Sequence, residues 1–369
     1  MSYNIPTLCF YLPCVLFFML FIVYVERKLA AFIQDRLGPR EVGYRGILQS
    51  IADLLKILQK EIIIPQQAHQ KIFLLAPAWI FITVMVAFTV LPVHSSWLGA
   101  PTDAGVLCIL AILSLKVIGV VLAGYAANNK YARLGALRAI TQYFSYEIPL
   151  SMSVLSVIIV THTINLAHIS AQQGLSIYQI DGISSIPSYF LGIKSFDVTS
   201  YGGLLTWNIF RMPSLVIAYF IFFLSTLAIS NIAPFDLAEA ESELLAGYHV
   251  EYGGIYFAWI MLAEYAVLFL MNLLGVILFL GGWNTPLPNV GFVQLAVYTN
   301  SYPTTWSGII WSSGWFFGKT LVITFFQLWL KWTVPRLRID QVMKLCWVYL
   351  IPLSLVTLLL TLWWQFLLF

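Results

Sequence analysis

Runs of about twenty mostly apolar residues recur along the whole of this chain, and a run of that length is what an α-helix needs to cross a lipid bilayer. Eight can be read in the 369 residues: 7–25, 72–93, 104–125, 145–165, 212–232, 255–281, 309–330 and 346–368. Soluble domains carry about 25% charged residues, whereas this chain has 9% charged and 60% apolar residues. No polar block between the runs is long enough to fold alone. The expected architecture is all-α and polytopic, one membrane domain over residues 1–369. The first run follows no basic segment and precedes no clear small-residue cleavage site, so it reads as a retained span rather than a signal peptide.

Charge then orients the spans. With eight crossings, the loops 26–71, 126–142 and 331–344 fall on one side and together hold fifteen Lys and Arg, among them Arg36, Lys56, Lys130, Arg138 and Arg336. The opposite loops, 94–103, 166–211 and 282–308, hold only Lys194 and Arg211. The positive-inside rule places the basic loops in the cytoplasm or matrix and both termini outside. A net charge of +3 is too small to argue for a nucleic-acid partner. Cys9, Cys14, Cys108 and Cys346 form no CxxC or Cys/His cluster, so no metal site is expected. The long outer loop 166–211, rich in Ser, Gly and Ile, reads as a cover.

Between the first two spans, residues 43–61 place Ile47, Leu48, Ile51, Leu54, Leu55 and Leu58 at helical spacing, with Arg45, Asp53, Lys56 and Lys60 mostly on the other side. This is the pattern of an amphipathic helix lying in the membrane interface. It follows the breaker pair Gly38-Pro39, so the chain is expected to turn and run along the surface, with room for a sheltered space above it. Arg36, Asp53 and Lys56 suit a polar headgroup beside an apolar tunnel; ordinary juxtamembrane anchoring is the plain alternative.

The fourth inward loop, 233–254, has no Lys or Arg and carries Asp236, Glu239, Glu241, Glu243 and Glu251. If the chain is helical from Leu237 onward, Asp236, Glu239 and Glu243 share one face and Glu241 points elsewhere. Like charges so close repel, and some of these acids should hold protons near neutral pH, as a proton relay requires. A solvated acidic face is the competing reading. Glu147 and Glu264 stand in or at the edge of apolar spans, where a carboxylate facing lipid costs several kcal/mol, so each should face protein or water. Glu147 could equally pair with Arg133 or Arg138. Lys116 and Lys319 are the intramembrane cations; each either neutralises a buried carboxylate or tunes the charge of a relay.

Four segments carry a resemblance: ERKLAAFIQDRLGPREVGYRGILQSIADLLKILQKE from Glu26, RLGALRAITQYFSYEIPLS from Arg133, PFDLAEAESELLAGYHVEYGG from Pro234 and WTVPRLRIDQVM from Trp332. They resemble, in family order, the signatures of the H-type membrane subunit of NADH:quinone oxidoreductase, the bacterial counterpart of mitochondrial NADH dehydrogenase subunit 1. The resemblance implies a membrane component of respiratory complex I that walls part of a quinone chamber and links it to proton-pumping neighbours through buried carboxylates. Arg36, Asp53 and Lys56 then belong to the quinone entry and chamber wall, and Glu147, Asp236, Glu239, Glu241, Glu243 and Glu264 to the proton route.

The partners implied are peripheral iron–sulfur and quinone-chamber subunits, antiporter-like membrane subunits, membrane lipid and quinone. FMN and iron–sulfur clusters would lie in those partners, since this chain shows no Rossmann glycine pattern, P-loop or cluster cysteines. The segment GYAANNKYA, 124–132, is similar to bacterial members and favours a bacterial inner membrane over a mitochondrial one. One departure stands out: members commonly have Asn-Arg before Pro-Phe-Asp and an acid shortly before it, where this chain has Ile232 and Ile229. Two other readings fit parts of the pattern, a related complex fed by ferredoxin, coenzyme F420 or hydrogen, and a proton-coupled secondary transporter; against the transporter stands the lack of inverted repeats.

Overall fold

The structure is a computed structural model, and it describes residues 4–94, 102–174, 190–193, 202–239, 246–289, 295–299 and 306–368. Its long helices are α1 (Asn4–Ile33), α2 (Gln49–Gln59), α3 (Gln70–Phe88), α4 (Gly105–Ala126), α5 (Lys130–Thr161), α6 (Pro213–Ile229), α7 (Gly254–Phe279), α8 (Trp306–Thr333) and α9 (Ile351–Leu368). A helical turn, Ile339–Lys344, and a π-helical stretch, Leu345–Leu350, run into α9, so the last span is one rod from Ile339.

Seven helices are long and apolar enough to span a membrane; α6, at 17 residues, is shorter. It crosses nonetheless, because its two ends meet opposite ends of the bundle. Before its start, Arg211 donates to Gln172 O at 2.5 Å, in the stretch that follows α5. At its other end Ala228 O accepts from Gln142 Nε2 at 2.7 Å, in the half of α5 nearer Lys130. With the seven longer helices it makes eight apolar helices, one for each apolar run of the sequence. All-helical packing is what a bilayer interior demands, since each backbone N–H and C=O must find its partner within its own segment.

Three boundaries differ from the sequence reading. α5 begins at Lys130, fifteen residues ahead of the predicted span, because Asn129 caps it by accepting from Tyr131 N, and its first turns stand clear of the apolar stretch. It stops at Thr161, where His162 turns left-handed at φ 54°. The interfacial helix, predicted over 43–61, is confined to Gln49–Gln59, preceded by the turn Tyr44–Gly46 and ended by extended Lys60. Most of its apolar stripe, Ile51, Leu55 and Leu58 included, stays exposed, as for a helix that lies on lipid or a neighbouring chain.

One hydrophobic cluster runs through the bundle, and α7 is its axis: residues from Ala266 to Phe279 are almost wholly buried. α1, α2, α3, α6 and α8 pack around it. The basic and acidic loops gather at one end. Lys331 reaches Glu26 at 2.6 Å, Arg336 reaches Asp236 at 3.0 Å and Asn129 donates to Glu251 at 2.8 Å, so 26–71, 126–142, 233–254 and 331–344 share a side.

Candidate functional site

The acids divide into two groups, both touching α7. Glu264 lies ten residues into that helix, about 15 Å along its axis, and is 7% exposed. Its partner comes from the acidic loop. Tyr248, fully buried, donates its hydroxyl to Glu264 Oε1. Two glycines allow that approach. Gly247 has φ +65°, and a Cβ there would lie 1.6 Å from Ala238 O; a Cβ on Gly135 of α5 would lie 2.8 Å from Tyr248 N. The turn Gly247–His249 is therefore pressed against both the preceding loop and α5.

Glu239 completes this group. Residues 236–239 are not helical, so the predicted stripe does not form by helical periodicity: Leu237 N bonds back to Phe235 O and the chain folds over itself. Asp236 and Glu239 still both come inward, to different partners. Asp236 pairs with Arg336, whereas Glu239 meets Glu264 carboxyl to carboxyl. Two like charges so close repel, and Glu239 Oε1 is buried with no donor among the described residues. Burial, and then the charge and hydrogen bond of Glu264 and the charge of Asp236, push the Glu239 carboxyl well above the usual carboxylate range, with Lys116 pulling the other way. Burial and the same two glutamates raise the Tyr248 hydroxyl far above its ordinary value, which keeps it a proton donor.

Lys116, on α4, is fully buried and donates to Tyr143 Oη on α5, with its Nζ 5.1 Å from the Tyr143 ring centroid. The charges of Glu264 and Glu239 reach it. Lys319 does neither of the things its position suggested. Its ammonium donates to Leu280 O at 2.8 Å, Gly282 O at 3.0 Å and Asn284 O at 2.6 Å, tying off the end of α7.

The second group lies where α1 meets α7 and α8. Glu26 accepts from Tyr265, the residue after Glu264, at 2.9 Å, and pairs with Lys331 at 2.6 Å. Next along α1, Arg27 forms an ion pair with Asp53 of α2, which also accepts from Gln49 at 3.0 Å. Contacts thus run from Asp53 through adjacent positions on α1 and α7 to Glu264. Lys56 is exposed on α2, and Arg36 is exposed with its Nε on Gln34 at 2.7 Å, so neither joins the two groups.

Glu147 is part-buried on α5, and the continuous helix corrects its proposed pairing: nine residues separate it from Arg138, about 13 Å along the axis. Glu241 and Glu243 lie outside the described residues. Ile229 and Ile232 are both buried among apolar neighbours. Glu26, Tyr143 and Tyr248 are among the site residues that sequence reasoning missed. Glu26 sits inside a basic run and resembles an anchoring charge, and the two tyrosines give no signal apart from their place in the motifs that carry the resemblance. Among the described residues no three His, Cys, Asp or Glu gather as a metal site.

The profile of the NADH dehydrogenase family matches residues 6–362. Similar proteins include the H 2 subunit of NADH-quinone oxidoreductase from Cytophaga hutchinsonii, 49% identical over 348 residues and 94% of each chain. The NADH-quinone oxidoreductase H subunit of Chlorobaculum tepidum is 42% identical over 93% of this chain and 86% of its own. Its counterpart of the same name from Geobacillus kaustophilus is 40% identical over 95% of this chain and 90% of its own.

Proposed function

The chain belongs to the NADH dehydrogenase family, and on that footing we propose that it is the H-type membrane subunit of a proton-translocating NADH:quinone oxidoreductase in a bacterial inner membrane, with its basic loops in the cytoplasm and both termini outside. It walls part of the quinone chamber with α1, α2 and the acidic loop. The observation that supports this reading is Glu264, buried inside α7 on the Tyr248 hydroxyl, with a buried oxygen of Glu239 left without a donor in the acidic loop: two carboxyls kept from water suit a site that holds and releases a proton.

Reduction of a quinone to quinol consumes two electrons and two protons, and the electrons come from an iron–sulfur centre in a peripheral partner; FMN and the clusters belong to such partners, and this chain supplies none. Arg36, Asp53 and Lys56 face the quinone and its entry. A negative charge appearing on the quinone acts on the Arg27–Asp53 pair, and the neighbouring Glu26–Tyr265 contact carries that change toward Glu264. The proton shared by Glu239 and Glu264 then shifts, and Asp236, Glu241, Glu243 and Glu147 extend the route toward antiporter-like membrane subunits. The physical basis is a coupling free energy between two sites through groups that each have two protonation states.

The test is proton translocation per NADH oxidised in vesicles carrying Glu239→Gln or Glu264→Gln. Both substitutions fix the pair's protonation, so coupled pumping should fall sharply while the complex still assembles. Full coupled turnover in both variants would defeat the reading.

A further inference from the structure

Lys116 is at 0% exposure in the middle of an apolar helix, and among the described residues no other lysine or arginine is so completely buried. An unpaired ammonium does not persist there: burying a charge without a partner costs several kcal/mol. Hydrogen bonding to the Tyr143 hydroxyl satisfies one donor. A phenol supplies no compensating charge. Among the described residues, the charges that reach Lys116 are those of Glu264 and Glu239, and Lys116 is in turn the one cation acting on Glu239. Arg336 is committed to Asp236 and Lys331 to Glu26. The groups facing the carboxyl pair are thus Lys116 from α4, Tyr143 from α5, Tyr248 from the turn, and Tyr265 and Asp236 acting from farther out.

We infer that Lys116 is a positioning residue for the proton site, a fixed counter-charge anchored by Tyr143 that holds the Glu239–Glu264 pair at one proton and one negative charge. Without it the pair lies in an apolar bundle with no cation of its own among the described residues, and taking up a second proton is the cheaper state. With it, one proton stays and one site remains open, the condition for passing a proton on. Tyr143 sets the distance: it holds the ammonium near the pair without neutralising it. The inference deepens the proposed function and rests on that reading of the carboxyl pair.

The experiment uses the whole complex in native membranes or proteoliposomes, with Lys116→Met, Lys116→Arg and Tyr143→Phe beside Glu264→Gln. Methionine matches the volume of the lysine stem, and exchanging a buried charge for an apolar group of similar shape is often tolerated. Two readouts are taken: protons moved per NADH oxidised, and the protonated-carboxyl carbonyl band in redox-induced infrared difference spectra. In Lys116→Met the pair no longer gives up its proton, so pumping is lost and the redox-sensitive carboxyl band disappears. Lys116→Arg keeps the charge and retains both signals.

Wild-type pumping and an unchanged band in Lys116→Met would overturn the inference while leaving the carboxyl reading intact, provided Glu264→Gln still abolishes pumping. Unimpaired Glu264→Gln would instead sink the function itself. Should Lys116→Met fail to assemble, Tyr143→Phe decides: it keeps the charge but frees its anchor, and the inference requires a shifted carboxyl band and reduced pumping, so a wild-type result refutes it.

Discussion

Tyr265 donates its hydroxyl to Glu26 Oε2 at 2.9 Å, across the contact between the first span and the central one. Its chain neighbour Glu264 faces the opposite group of acids, so two adjacent residues of α7 belong to two different charge clusters. Glu26 also holds Lys331. Replacing Glu26 by Ala strands that part-buried ammonium and removes a charged hydrogen bond, a loss of about 1.5–3 kcal/mol. We expect the Glu26→Ala complex to unfold at lower temperature in detergent, with Glu26→Gln intermediate because it still accepts from Tyr265; thermal scanning of both variants checks this.

The loop that delivers Tyr248 depends on one glycine. Gly247 combines φ +65° with an approach to Ala238 O that leaves no space for a methyl group. Gly247→Ala should displace the turn, pull Tyr248 away from Glu264 and block assembly, which a native gel of solubilised membranes would reveal. Gly135→Ala, with its tightest neighbours at 2.8 to 2.9 Å, should be milder but in the same direction.

Glu239 gives the folded chain a defined pH sensitivity. Its carboxyl is raised in the folded state above its unfolded value, so the folded chain binds more protons than the unfolded chain between those two values. Stability must therefore fall as pH rises from the ordinary carboxylate range toward the raised value, by up to about 1.4 kcal/mol per pH unit for one group. Below the ordinary range this penalty is absent. Glu239→Gln should flatten the slope and be the more stable protein at neutral pH; denaturation midpoints measured from acid to alkaline pH would refute the account if the two curves ran parallel.

At the other end of the bundle, Lys319 bridges three carbonyl oxygens just past α7. Lys319→Met leaves those carbonyls without a donor, at about 1–3 kcal/mol. Limited proteolysis should then cut between residues 280 and 305 faster than in the wild type, with the acidic groups and proton translocation unaffected by geometry so far away.

Asp53 ties α2 to α1 through Arg27. If this pair fronts the quinone, Asp53→Asn should raise the KM for quinone several-fold while electron transfer from NADH to the iron–sulfur centres is unchanged. An unaltered KM would remove Asp53 from the chamber wall.

The spans were legible because lipid allows few alternatives: a stretch such as 104–125 differs from Gly105–Ala126 by one residue at each end. Boundaries set by something other than hydropathy were not legible. Lys130 to Gln142 is charged enough to look like a loop, yet it is the opening stretch of α5, since a cap at Asn129 and packing on α4 and α6 hold it helical. The acidic loop was legible as a concentration of carboxylates, but its geometry came from a glycine contact and from Arg336, neither visible as periodicity. Glu26 shows the limit most clearly: its partners lie on spans far along the chain, and nothing in the basic run around it distinguishes it from an anchoring charge.

Because α7 is buried on nearly every side, its fate during synthesis differs from that of the other spans. It leaves the ribosome after α1, α3 and α6 and before α8, so most of its socket exists when it arrives but one wall is missing. Asn272 donates to Gln327 of α8 at 2.6 Å, and until α8 enters the bilayer that amide faces hydrocarbon. A nascent chain halted between the two is thus marked as unfinished by a polar group displayed to lipid, a sign that membrane quality control could read before any other component of the complex is present.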